Sequence, residues 1–126
     1  MEYNDRRIPA GPPRVLVVED DAALRPLVAM HLAEHGFSVV EAATADEALT
    51  TLQEDGGIAL VFSDIQTPGT FDGVDLARWI AREMPSLKVL LTSGTALPAR
   101  GRRWPFVAKP YNQDKVERQL HDLAND

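Results

Sequence analysis

Four times along this chain a short apolar run stops at a residue that carries chemistry. Arg14–Val18 stops at Glu19, Asp20 and Asp21. Residues 58–62 stop at Ser63 and Asp64, residues 89–91 at Thr92 and Ser93, and Phe106–Ala108 at Lys109 and Pro110. The runs are rich in β-branched residues and unbroken by polar ones, which is the pattern of strands covered on both faces. Residues 37–40 form a fifth such run, with no comparable polar group behind it.

Helical patterns alternate with the runs. The first carries Leu24, Leu27, Val28 and Leu32 on one face, with Pro26 near its start, where a missing N–H costs least. Gly36 is its left-handed stop. Thr44 and Glu47 have capping-box spacing ahead of a second helix bearing Ala48, Leu49 and Leu52, which ends at Gly56 and Gly57. Residues 74–83 form a third, with Leu76, Trp79 and Ile80 as its core stripe and Pro85 beyond it. Asn112 caps the last, where Val116, Leu120 and Leu123 share a face. Residues 94–105 contain Pro98, Gly101 and Pro105 and no helical stripe, so a helix there is short, degenerate or absent. The expected fold is α/β, a doubly wound five-stranded parallel sheet with helices on both faces. Right-handed crossovers bring the C-terminal ends of the strands to one edge. Glu19, Asp20, Asp64, Thr92 and Lys109 then converge on one crevice.

Composition narrows the chemistry of that crevice. The chain has 126 residues, which is the size of one domain. Residues 1–13 read as a flexible tail, because prolines and a glycine break any periodicity, and 14–126 as the domain. A net charge of −6 argues against a nucleic-acid partner. There is no cysteine, so neither disulfides nor thiolate metal sites are available. No apolar run reaches the length of a membrane span and the N-terminus has no apolar leader, so a cytoplasmic location is expected. Three neighbouring carboxylates do not all stay ionised without a cation. The donors are hard oxygens, which suits Mg²⁺. A carboxylate beside Mg²⁺ and an ammonium can act as a nucleophile toward phosphorus. Taken singly, each residue has a plain structural role: the acid run as a helix N-terminus, Asp64 as a turn residue, Lys109 as surface. Their joint occurrence behind four apolar runs favours a site. His31, His35 and His121 lie in helix patterns without ligand-like spacing, and no role is expected for them. The basic stretch around Arg100, Arg102, Arg103 and Trp104 is expected to be a solvated loop.

Stretches of this chain also resemble a known family. They are 15–21 (VLVVEDD), 63–68 (SDIQTP) followed by Asp72-Gly73, then Leu91-Thr92-Ser93 and Ala108-Lys109-Pro110. In this order they resemble the response regulator receiver domain, over Arg14 to about Leu123. The resemblance implies a CheY-like, flavodoxin-like sheet of order 2-1-3-4-5 and the receiver of a two-component phosphorelay. Asp64 would accept phosphate from a sensor histidine kinase or a histidine phosphotransfer protein. Glu19, Asp20, Asp64 and the backbone carbonyl of Gln66 would form the Mg²⁺ site, with Asp20 a direct ligand and Glu19 acting largely through water. Thr92 and Lys109 would contact the phosphoryl group, Thr92 and Phe106 would form the switch, and Lys109–Pro110 would be cis. The protein would be no enzyme beyond its own phosphorylation and dephosphorylation, and its output would pass to another protein. The loop after Asp64 is one residue longer than the family's common form, and the stretch from Thr92 to Lys109 is shorter.

Three other readings compete. A flavodoxin-type cofactor binder would cradle phosphate with backbone amides, but Glu19-Asp20-Asp21 repels an anion. A small phosphohydrolase with an Asp nucleophile would need a general acid or base near Asp64, and none is seen. A docking-only receiver would lack a site residue, and none is missing.

Overall fold

The computed structural model describes residues 11–126; the first ten residues of the expected tail lie outside the described residues. Pro13 is already tied to the sheet, its carbonyl accepting a hydrogen bond from the Ser38 amide at 3.0 Å. The elements follow in the order β1 (Arg14–Val18), α1 (Leu24–Glu34), β2 (Ser38–Ala42), α2 (Ala45–Glu54), β3 (Leu60–Asp64), α3 (Gly73–Glu83), β4 (Lys88–Ser93), β5 (Phe106–Ala108) and α4 (Gln113–Ala124). All strand pairs are parallel, and the sheet order is β2-β1-β3-β4-β5.

Alternation along each strand divides the core into two. Leu16, Val18, Val61, Val89 and Leu91 face α2 and α3, whose Ala48, Leu52, Leu76 and Ile80 complete that layer. Val15, Val17, Leu60, Phe62, Leu90 and Val107 face α1 and α4, covered by Val28, Leu32, Val116 and Leu120. Both faces are therefore apolar, as the unbroken hydrophobic runs require.

The helix ends follow their local chemistry. Asp21 Oδ1 accepts from the amides of Ala23 and Leu24, so one member of the acid run closes the turn that leads into α1. These amides hold the Asp21 carboxyl below the usual carboxylate range. Gly36, at φ +98°, lets the Phe37 amide return to the Leu32 carbonyl at 3.1 Å. Thr44 Oγ1 accepts from the Glu47 amide, and the Glu47 carboxylate accepts from the Ala43 amide.

Four expectations are corrected. β2 begins after Phe37, which is spent on closing α1 and packs into the core, and it runs on to Ala42. β3 is displaced toward its C-terminus, from 58–62 to Leu60–Asp64. β4 is longer than 89–91 and takes in Thr92 and Ser93. Leu27 is 56% exposed, because Val28, Ala29 and Leu32 form the buried stripe and Leu27 lies off it. Between β4 and β5 there is only a single 3-10 turn, Ala99–Gly101, in keeping with the prolines and glycine of that segment.

Candidate functional site

The strand ends carry their polar residues into the sheet edge. Asp64 pairs in register with Thr92 on the neighbouring strand, so both sit inside the ladder. The Ile65 amide donates to the Thr92 carbonyl at 2.8 Å, which holds the two strand ends together. On the other side of β3, Glu19 continues the β1 ladder by donating its amide to the Ala42 carbonyl at 3.0 Å. Beyond β5, the Lys109 amide donates to the Ser93 carbonyl at 2.9 Å, and the Lys109–Pro110 peptide is cis.

These anchors bring the charges together. Lys109 Nζ donates to Glu19 Oε1 at 2.7 Å and to Asp64 Oδ2 at 2.9 Å. Glu19 and Asp64 are buried and Asp20 is exposed at the rim. Carboxylate oxygens of Glu19, Asp20 and Asp64 lie within 4.8 Å of one another. Three carboxylates thus face one ammonium. Burial alone would lower the Lys109 pKa, but the hydrogen bonds and charges of Glu19 and Asp64 outweigh it and raise it. Tyr111 lies beside the site, edge-on to Phe62, and burial together with the Glu19 charge pushes its hydroxyl up to about 12.

Glu19 and Asp20 are not equivalent. Both Glu19 oxygens are engaged, Oε1 by Lys109 and Oε2 by the Asp21 amide at 3.0 Å. The Asp20 carboxylate has no such partner among the described residues. Asp64 Oδ1 accepts from the Gln66 amide at 3.2 Å. Thr92 is 1% exposed, and its Oγ1 has no hydrogen-bond partner among the described residues. A buried hydroxyl left in that state costs about 1–3 kcal/mol. Phe106 is half-buried against the α2/α3 layer.

A family model for the response regulator receiver domain matches residues 15–121. The chain belongs to the response regulator receiver domain family. Its receiver fold is similar to the crystal structure of the protein TrrA from Thermotoga maritima in complex with Mg²⁺-BeF. That match has a TM-score of 0.80 and 26% identity, over 88% of this chain and 98% of that one. It is also similar to the receiver domain of the hybrid histidine kinase CckA, with a TM-score of 0.75 and 31% identity over 88% of this chain and 98% of that one. In sequence it is 36% identical over 121 residues to the sensor kinase CckA of Brucella abortus, covering 90% of this chain. The chain spans only 13% of that kinase's length. Receiver domains belong to two-component signalling and accept phosphate from histidine kinases. They are signalling modules, not classical enzymes. No helix among the described residues is long and apolar enough to cross a membrane.

The sequence reading missed two features of this receiver. Gln66 bridges the β3 and β4 ends through its side chain, Oε1 accepting from Ser93 Oγ at 3.0 Å and Nε2 donating to Thr95 Oγ1 at 2.7 Å. Asp72 caps α3 in a reciprocal capping box with Asp75, and Arg100 pairs with both acids. The Asp72–Asp75 spacing was a visible signal for the box; the Arg100 contact was not, since it depends on how the loop folds back. Part of the basic stretch is therefore tied to the start of α3 while remaining exposed, and Arg103 lies over the Trp104 ring at 4.9 Å.

The raised pKa values of Lys109 and Tyr111 make stability depend on alkaline pH. Unfolded, these groups titrate near 10.4 and 10. Each folded-state pKa is higher, so the contribution is intact below about pH 10 and is lost as pH rises toward 12. Urea unfolding between about pH 9 and 11.5 should show falling stability, with a shallower fall in Tyr111→Phe. Parallel slopes in the two proteins would remove Tyr111 from this account.

Proposed function

We propose that this receiver is phosphorylated on Asp64, with Mg²⁺ held by the acidic cluster. The observation that carries the reading is the buried Thr92 hydroxyl, without a hydrogen-bond partner among the described residues and in register with Asp64, whose carboxylate Lys109 contacts. A phosphoryl oxygen arriving on Asp64 would satisfy that hydroxyl, and the Lys109 ammonium would pair with a second oxygen. An Asp64 carboxylate oxygen attacks phosphorus, the bond to the donor group breaks, and an acyl phosphate forms. The donor is a histidine kinase or a histidine phosphotransfer protein.

The residues present fit Mg²⁺. The donors are carboxylate oxygens, and a divalent cation balances the excess of three carboxylates over one ammonium. When bound, the ion neutralises charge developing on the transferred group. Asp20, whose carboxylate has no partner among the described residues, would be the direct ligand, together with Asp64 and the Gln66 carbonyl. Glu19, occupied by Lys109 and the Asp21 amide, acts through water and holds Lys109 in place. Thr92 and the aromatic Phe106 form the switch: the hydroxyl is drawn toward the phosphoryl group, and the ring follows into the space behind it. Output passes to a protein partner.

Titrating Mg²⁺ by calorimetry or tryptophan fluorescence tests the assignment. Asp20→Ala should weaken binding by at least about tenfold, the loss of roughly 1.4 kcal/mol, and Glu19→Ala should weaken it less. Equal affinities in wild type and Asp20→Ala would place the metal elsewhere.

A further inference from the structure

A second cluster of ligand-type side chains lies between α1 and α4 and shares no residue with the acidic pocket. His31 and His35 stand one turn apart on and just after α1, and Asp114 and Glu117 stand one turn apart on α4. Each offers one ligand atom, and the four atoms all lie within 4.8 Å of one another. We propose that His31, His35, Asp114 and Glu117 form a site for a divalent cation of borderline softness, Zn²⁺, which fastens α1 to α4.

Three observations point to a cation. The first is His31 Nε2. It is buried, and it lies 3.2 Å from Asp114 Oδ1 and 3.8 Å from Glu117 Oε1. Among the described residues it has no aligned hydrogen bond to either. One ring nitrogen and two carboxylate oxygens thus meet at one point with no aligned hydrogen bond between them, a donor group that a cation could bridge. The second is the tautomer of His35. α1 ends at His35, whose amide turns back to the Leu32 carbonyl, and the freed His31 carbonyl lies 2.7 Å from His35 Nδ1. A carbonyl only accepts, so Nδ1 carries a proton, and in the neutral ring the lone pair sits on Nε2. Metal-ligating histidines are held in this way, with the other ring nitrogen donating to a backbone carbonyl. The third is the disposition of the rings. His31 and His35 stack with centroids 4.2 Å apart, so both rings lie beside the α4 acids, and a turn of one ring about its side-chain torsions would bring both lone pairs onto one ion.

The donor set selects the ion. Two imidazole nitrogens and two carboxylate oxygens suit tetrahedral Zn²⁺, whose bonds of about 2.0–2.2 Å put the ligand atoms roughly 3.3–3.6 Å apart. Mg²⁺ prefers an all-oxygen octahedron and is served by the other pocket. Closing from within 4.8 Å to that spacing takes only side-chain adjustment on two helices already in contact. His121 supports the site from behind: its Nε2 lies 2.9 Å from the His35 carbonyl and 3.6 Å from Glu117 Oε2.

The test uses tag-free protein in excess Mg²⁺, so that the acidic pocket is filled before Zn²⁺ is added. Calorimetry should show one equivalent of Zn²⁺ bound with micromolar or tighter affinity, and the melting temperature should rise with Zn²⁺. The double variant His31→Gln/His35→Gln should lose at least about tenfold in affinity. Glu117→Gln, which leaves α1 intact, should also bind more weakly. In long-range ¹⁵N spectra, Nε2 of both histidines should shift on adding Zn²⁺ while Nδ1 of His35 stays protonated. The proposal is overturned by unchanged affinity in the histidine and Glu117 variants, by displacement of Zn²⁺ with Mg²⁺, or by no saturable binding in the micromolar range.

Discussion

Incubated with Mg²⁺ and a small phosphodonor such as acetyl phosphate, the protein should gain the mass of one phosphoryl group, and Asp64→Asn should gain none. The loss should be complete, because the substitution removes the nucleophile and not merely a contact. An amide oxygen is a poor nucleophile and carries no charge for the Lys109 ammonium to balance. The fold should survive, since asparagine keeps the shape of Asp64 and its acceptor for the Gln66 amide. Lys109 retains its partner Glu19. Intact-mass spectrometry separates the outcomes, and hydroxylamine should release the adduct, as it does acyl phosphates. An adduct of wild-type yield in Asp64→Asn would move the phosphoacceptor to another residue.

The second large effect is expected at a residue with no functional group. Gly73→Ala should destabilise the protein by about 3 kcal/mol or more, beyond the usual overpacking range of 1–3 kcal/mol for sites that can adjust. A Cβ on Gly73 would lie 2.3 Å from the Asp64 carbonyl oxygen and 2.8 Å from the Ile65 Cα. Both are backbone atoms, so no side-chain rotation relieves the clash. The Gly73 amide also donates to the Ile65 carbonyl at 2.8 Å, which pins the start of α3 against the end of β3. The backbone here takes no positive φ, so the demand for glycine is steric and not conformational. Relief would push Asp64 away from Lys109 and Thr92. Urea unfolding should therefore show a lowered midpoint, and whatever folded protein remains should phosphorylate slowly. A variant within about 0.5 kcal/mol of wild type, the range of neutral surface changes, would mean that α3 shifts freely.

How far the site was legible follows from where its information lies. Lys109, Asp64 and Glu19 were legible because each ends an apolar run, and a parallel sheet sends all such ends to one edge. The strand boundaries were less so. Ser63, Asp64, Thr92 and Ser93 looked like the residues after strands, yet the ladder runs through them. Polar side chains enter a strand when the neighbouring backbone pairs there, and that pairing belongs to the register of another segment. The acid run divided in a way no local pattern shows: Glu19 is buried on Lys109, Asp20 is left at the rim, and Asp21 closes the turn into α1.

The histidines mark the same boundary from the other side. The spacing of His31 and His35 along α1 was visible, but spacing of one turn becomes ligand-like only when a second helix supplies acids opposite. Asp114 and Glu117 come from α4, more than 70 residues later, and only the packing of α1 and α4 on one sheet face brings them there. By itself the sequence determined what is periodic or local: the α/β alternation, two covered sheet faces, the caps at Thr44 and Asn112, and the set of residues at the strand ends. The tertiary structure alone decided what depends on segments distant in the chain. It set which carboxylate Lys109 neutralises, which hydroxyl is left without a partner, and which glycine has no room for a Cβ. The reason is physical: periodicity is written in neighbouring residues, whereas a charge, a lone pair or a void takes its energy from whatever the fold places within a few ångströms.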